Sequence, residues 1–152
     1  MASTITPTKL TSTLTESISL NGHTYGNTIS HTIDTQGEVV QRVMNVGTSE
    51  TTIFSLSTAD GLGAVVGDAL AYFRVTNLDD TNSVWINLGI DQSGETDGQV
   101  TILLDKKESF ILMNNQIAIE ADNSGGYALE DIFLIKAKAT VAVDIEFLAV
   151  TA

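Results

Sequence analysis

From Phe133 to Ala149 every odd position is apolar: Phe133, Ile135, Ala137 and Ala139, then Val141, Val143, Ile145, Phe147 and Ala149. The charges Lys136, Lys138, Asp144 and Glu146 all fall on even ones. A helix, repeating about every 3.6 residues, would scatter those charges around its circumference, whereas a pleated strand sends alternate side chains to opposite faces. The segment is predicted to be β. It exceeds the ~5 or 6 residues of an ordinary strand, so something interrupts it. Because the inward parity never switches, the interruption is either a three-residue loop near Lys138, Ala139 and Thr140 or a bend carrying one strand between sheets. The loop is the favoured reading, and it would set Lys136 diagonally across from Asp144.

The same punctuation recurs upstream. Asn21-Gly22 between Ser17–Leu20 and His23–Tyr25 has the chemistry of a type I′ hairpin turn. Thr28–Ile33 is predicted as a short strand before a turn at Asp34–Gly37, and β-branched runs at Glu38–Val46 and Thr51–Leu56 predict two more. Residues 59–71, rich in glycine and alanine, read as a connection with a short helical turn. LDDTNS, with the turn formers Asp79, Asp80 and Asn82, predicts a hairpin of Ala71–Asn77 with Val84–Ile90. DKK predicts another, of Gln99–Leu104 with Ser109–Met113, and Gln116–Glu120 precedes the closing pair. Many short strands separated by turns predict an all-β, antiparallel, jelly-roll-like β-sandwich. The Thr/Ser-rich residues 1–16, with the lone Pro7, are predicted as an extended N-terminal arm, and residues 17–152 as a single sandwich domain.

A chain of 152 residues with 43% hydrophobic content suits one core. With no cysteine, the fold relies on packing and strand pairing. No basic start precedes an apolar run and no stretch has the length of a spanning helix, so a soluble, unsecreted chain is expected. The net charge of −12, from 19 acidic and 7 basic residues, opposes nucleic acid and anionic membranes as partners.

Candidate chemistry is sparse. His23 and His31 fall short of a zinc ligand set, and too few histidines are present for a cupin-type metal centre. No G-x-S-x-G elbow accompanies the serines, and GLGAVVG is not followed by the Lys-Ser or Lys-Thr of a phosphate cradle. No catalytic, cofactor-binding or metal-binding residues are therefore predicted. The loop Asp91–Gly98 offers Asp91, Ser93, Glu95 and Asp97 as oxygen ligands for calcium, but a polar loop accounts for them as well. Trp85, beside Asn87, is expected in the core or at a subunit interface; the alternative is a carbohydrate-binding module in which Trp85, Tyr25 or Tyr127 stacks on a sugar.

Three stretches, EVVQRVMNVGTSETTIFSLS, AYFRVTNLDDTNSVWINLG, and DKKESFILMNN with DIFLIKAKATVAVDIEFLAV, together resemble small β-sandwich virion proteins of tailed bacteriophages, marine and cyanobacterial ones in particular. The resemblance spans Glu38 to Val150. One departure is Lys107, where related sequences often carry glycine before E-S-F. The resemblance implies a non-enzymatic capsid decoration (cement) protein on the virion surface, binding the major capsid protein and forming a homo-oligomer. A trimer at local three-fold positions is the expected assembly. Its contacts are expected at residues 1–16 and the loop tips Asp79–Ser83 and Asp91–Gly98. A tail, fibre or head-vertex component is the alternative.

Overall fold

The structure, a computed structural model, describes residues 8–35, 38–57, 65–66, 70–90, 98–113, 116–117 and 130–151. It divides into two compact units, Met1–Gln36 and Gly37–Ala152.

The first unit is a two-tiered ribbon. Strand β1 (Thr8–Thr15) pairs antiparallel with β4 (Thr28–Thr35), and β2 (Ile18–Leu20) pairs with β3 (His23–Tyr25) at the tip. Asn21 and Gly22 make the tip turn at φ 51° and 80°, the positive values that the Asn-Gly pair predicts. Between the tiers Gly26 sits at φ 144°, where an added Cβ would lie 1.9 Å from the Glu16 carbonyl oxygen. Only glycine lets the two ladders join there. Residues 8–15 of the expected arm are thus half of a paired ribbon, and the expected boundary at residue 17 falls inside it. Residues 1–7 lie outside the described residues.

The second unit is an antiparallel β-sandwich. Its main strands are β5 (Val39–Val46), β6 (Thr51–Ser57), β8 (Leu70–Asn77), β9 (Val84–Ile90), β10 (Gly98–Leu104), β11 (Ser109–Leu112), β13 (Glu130–Ala139) and β14 (Val143–Thr151). One sheet has the order β10-β9-β13-β6, extended by the short β7 (Val65–Val66), which runs parallel to β6, and by β12 (Gln116–Ile117) on β13. The other has the order β11-β8-β14-β5. Along the chain, the first main strand pairs with the last, β5 with β14. The remaining strands nest inside that pair: β6 with β13, β8 with β11, β9 with β10.

Alternate residues of both sheets fill the shared core. Phe54 on β6 meets Phe73 on β8 with ring centroids 6.1 Å apart, and Phe73 stacks on Phe147 of β14 at the same 6.1 Å. All three rings are fully buried, a contribution of about 1.5–3 kcal/mol each from transfer out of water. Ile86, Leu88, Ile135, Ala137, Val143 and Ile145 close the same cluster.

Several expected pairings are corrected. β8 and β9 do not form a hairpin, nor do β10 and β11, nor β13 and β14; each pair is split between the two sheets. The favoured closing loop gives way to a crossing at residues 140–142 that carries the chain from one sheet to the other. Lys136 therefore does not face Asp144: Lys136 pairs with Glu50 at 3.4 Å, and Asp144 accepts from Asn45 at 2.9 Å. Parity guides burial at Ile135, Ala137, Ala139, Val143, Ile145, Phe147 and Ala149 because both sheets turn the same phase toward one core, but not at Phe133, half-buried beside the register shift between Ile132 and Leu134, nor at Val141, exposed in the crossing. Most of residues 59–71, with any helical turn there, lie outside the described residues.

Asn77, fully buried, organises one such crossing. Its amide donates to the carbonyl oxygens of Asn82 at 2.8 Å and Asp105 at 3.1 Å, and its Oδ1 accepts from Asp79 N–H at 3.0 Å. Asp79 Oδ1 accepts from the N–H groups of Thr81 and Asn82 at 2.7 and 2.6 Å, the turn role its position predicts. These donors, Asn82 first, hold the Asp79 carboxyl below the usual range.

Candidate functional site

Two surfaces stand out. The first lies on the outer face of the β10-β9-β13-β6 sheet. Val84, Ile86, Leu88 and Ile90 point into the core, so Trp85 and Asn87 point out. Strand register places Leu103 and Lys138 on either side of Trp85, and Thr101 and Lys136 on either side of Asn87. Trp85, Asn87, Thr101, Lys136 and Lys138, together with Glu50 and Thr48, border a groove of about 480 Å³. Lys136 Nζ lies 3.4 Å from Glu50 Oε2, and Asn87 Nδ2 donates to Gln99 Oε1 at 3.1 Å.

Trp85 is half-buried on this outer face and is not part of the core cluster, which corrects the core half of its expected placement. Its phase was readable, since it alternates with Ile86 and Leu88 and shares that of Asn87. The lysines and Glu50 were missed because only the pairing of β9 with β13 and β13 with β6 brings them beside it.

The second surface is one face of the β1–β4 ribbon. Leu10, Ser12 and Leu14 stand opposite Ile33, His31 and Ile29 on that face. Thr13 and Ser30 exchange a hydroxyl contact at 3.0 Å on the other, where Lys9 also meets Asp34 at 3.4 Å. Leu14 and Ile29 are 48% and 56% exposed, and Ile18, Leu20 and Tyr25 near the tip are more than half exposed as well. Thr and Ser outnumber the alternating apolar residues here, so composition alone suggests a polar arm.

His31 faces Ser12 in the lower tier and His23 faces Leu20 at the tip, both exposed. The described residues contain no group of three or more His, Cys, Asp or Glu able to hold a metal ion. Residues 91–97, the core of the calcium candidate, and Tyr127 lie outside the described residues. Among the described residues no helix is long and apolar enough to cross a membrane.

In comparisons with protein-family models, curated proteins and solved structures, nothing matches this chain. The fold defines an all-β protein whose larger unit is an antiparallel β-sandwich.

Proposed function

We propose that the protein is a non-enzymatic virion component of a tailed bacteriophage, a decoration protein that binds major capsid subunits on the head surface and stabilises the shell. The observation that carries this reading is the uncovered apolar face of the N-terminal ribbon. An isolated two-stranded hairpin is marginal in water, and Leu14, Ile18, Leu20, Tyr25 and Ile29 in solvent gain from burial only when another surface covers them. A ribbon of this kind suits a protein that is completed by assembly.

Further support comes from charge and winding. The ribbon holds only Lys9, Glu16 and Asp34 among its charges, hence one of the net −12. Copies can meet there without bringing many carboxylates together, which favours a homo-oligomer, a trimer on local three-fold positions being the reading adopted. First-with-last strand nesting is the winding of a jelly roll, an architecture that recurs in viral capsid domains. The sequence likeness to phage virion proteins points the same way. Fold alone does not assign a role, so the ribbon and that likeness bear the weight.

Quantitative mass spectrometry of purified virions tests the reading. A copy number comparable to that of capsid lattice positions is expected. Absence from the particle contradicts a virion role, and a few copies per particle would place the protein at the tail, a fibre or a vertex instead.

A further inference from the structure

We infer that the groove beside Trp85 is a binding site for an acidic saccharide, with a uronate-type ring stacked on the indole and its carboxylate held by Lys138. This does not rest on the assembly reading.

Size comes first. About 480 Å³ lies within the roughly 300–1,000 Å³ of small-ligand sites. Next is the platform. The core cluster closes without Trp85, so core packing does not explain a tryptophan on the outer face. Leu103 and Lys138 flank Trp85 in register, and the half-buried indole borders the groove. An indole presented in this way offers its π face to the C–H face of a sugar ring.

The polar border matches hydroxyl chemistry. Asn87 spends one N–H on Gln99, leaving its carbonyl oxygen and second N–H to meet a ligand. Thr48 and Thr101 add hydroxyl groups that both donate and accept.

Charge then selects among ring-shaped ligands. The chain has 7 basic residues against 19 acidic ones, yet Lys136 and Lys138 both border this groove. The ammonium of Lys136 is already met by Glu50 at 3.4 Å. Lys138 is exposed and has no ion-pair partner among the described residues. A cation left beside an aromatic platform matches one carboxylate attached to a stackable ring. An inorganic anion would leave the indole unused. A nucleotide offers a ring and an anion too, but its phosphate brings more negative charge toward an acidic protein. A single uronate carboxylate brings the least.

Trp85 is the only tryptophan in the chain, so its fluorescence reports this one site. The full-length protein is titrated with aldotetraouronic acid, a saccharide carrying one uronate, with maltotetraose as the neutral comparison and AMP as the nucleotide comparison. The expected result is a saturable change in indole emission with the aldotetraouronic acid, weakened by salt and about tenfold weaker in Lys138→Gln, as the loss of one charge-assisted contact implies. Calorimetry should detect no binding by Trp85→Ala, and unchanged far-ultraviolet spectra would show both variants folded. No saturable response to the aldotetraouronic acid up to about 10 mM, a range that already admits weak ligands, overturns the proposal. So does equal binding of maltotetraose with no effect of Lys138→Gln, or a response to AMP alone.

Discussion

Arg74 on β8 donates from Nη2 to Glu146 Oε1 on β14 at 3.0 Å, and the same carboxylate oxygen accepts from Gln41 Nε2 on β5 at 2.6 Å. Arg74 Nη1 continues to Thr76 at 2.9 Å, and Thr76 meets Ser109 on β11 at 2.8 Å. One polar chain thus crosses all four strands of the outer face. Gln41 first, then Arg74, holds Glu146 below the usual carboxylate range against the opposing effect of burial.

A depressed folded pKa contributes stability that is present above the unfolded value and lost as pH falls through the folded one. Glu146→Gln should therefore be less stable than the native protein at pH 7, by up to about 1 kcal/mol for a pair this near the surface. Its melting curve should converge with the native one as pH falls through the depressed folded pKa, below which Glu146 is protonated in both states. Comparing the two curves separates this contribution from the general relief of acidic repulsion. Curves that stay parallel throughout the acid range would contradict the assignment.

Lys107 occupies the left-handed region at φ 60° in the turn closed by Glu108 N–H to the Asp105 carbonyl oxygen at 3.2 Å. Non-glycine side chains pay roughly 1 kcal/mol or more there. The backbone bond from Lys107 N–H to the Asp79 carbonyl oxygen, 3.2 Å, survives replacement of the side chain. Lys107→Gly should raise stability by about 0.5–1 kcal/mol in urea unfolding, after the loss of an exposed ammonium contact to Leu78. Lys107→Ala should show no such gain.

Phe73 joins the two sheets through its contact with Phe54 and stacks on Phe147 within its own sheet. Phe73→Ala should cost about 3–5 kcal/mol. Leu103, 55% exposed on the outer face, should tolerate alanine to within about 0.5 kcal/mol. Similar costs for the two substitutions in denaturant melts would contradict the layering.

The ribbon makes its own prediction. Sedimentation equilibrium of the full-length protein should give an oligomer, and the double variant Leu14→Asp with Ile29→Asp should give a monomer, because carboxylates replace a facing apolar pair. Melting of the larger unit should be unchanged. A monomeric native protein, or an equally oligomeric variant, would remove self-association from this face.

Period-two alternation disclosed the strands and which side chains are buried, because one core sets the phase in both sheets. Ile135, Ala137, Val143 and Ile145 are buried as their odd positions predict. It did not disclose partners. Short connectors such as LDDTNS and DKK serve a hairpin or a crossing between layers equally well, and local sequence carries no term for the distant strand that decides between them. β14 finds β5 across most of the sandwich sequence. The ribbon was hidden for another reason: Leu10 and Leu14 alternate with threonines whose β-branched side chains favour a strand, but their polarity resembles that of an unpacked tail. In the groove, Trp85 and Asn87 share a visible phase, while Glu50 and Lys136 arrive only through tertiary pairing.

Assembly through the ribbon, in the virion role proposed above, is most directly tested by a density map of intact particles that carry this chain. The account predicts the sandwich on the head exterior at repeating lattice positions, with Leu14, Ile18 and Ile29 buried against a neighbouring chain. A shell without this subunit, or a ribbon whose apolar face stands in solvent on the particle, would contradict it.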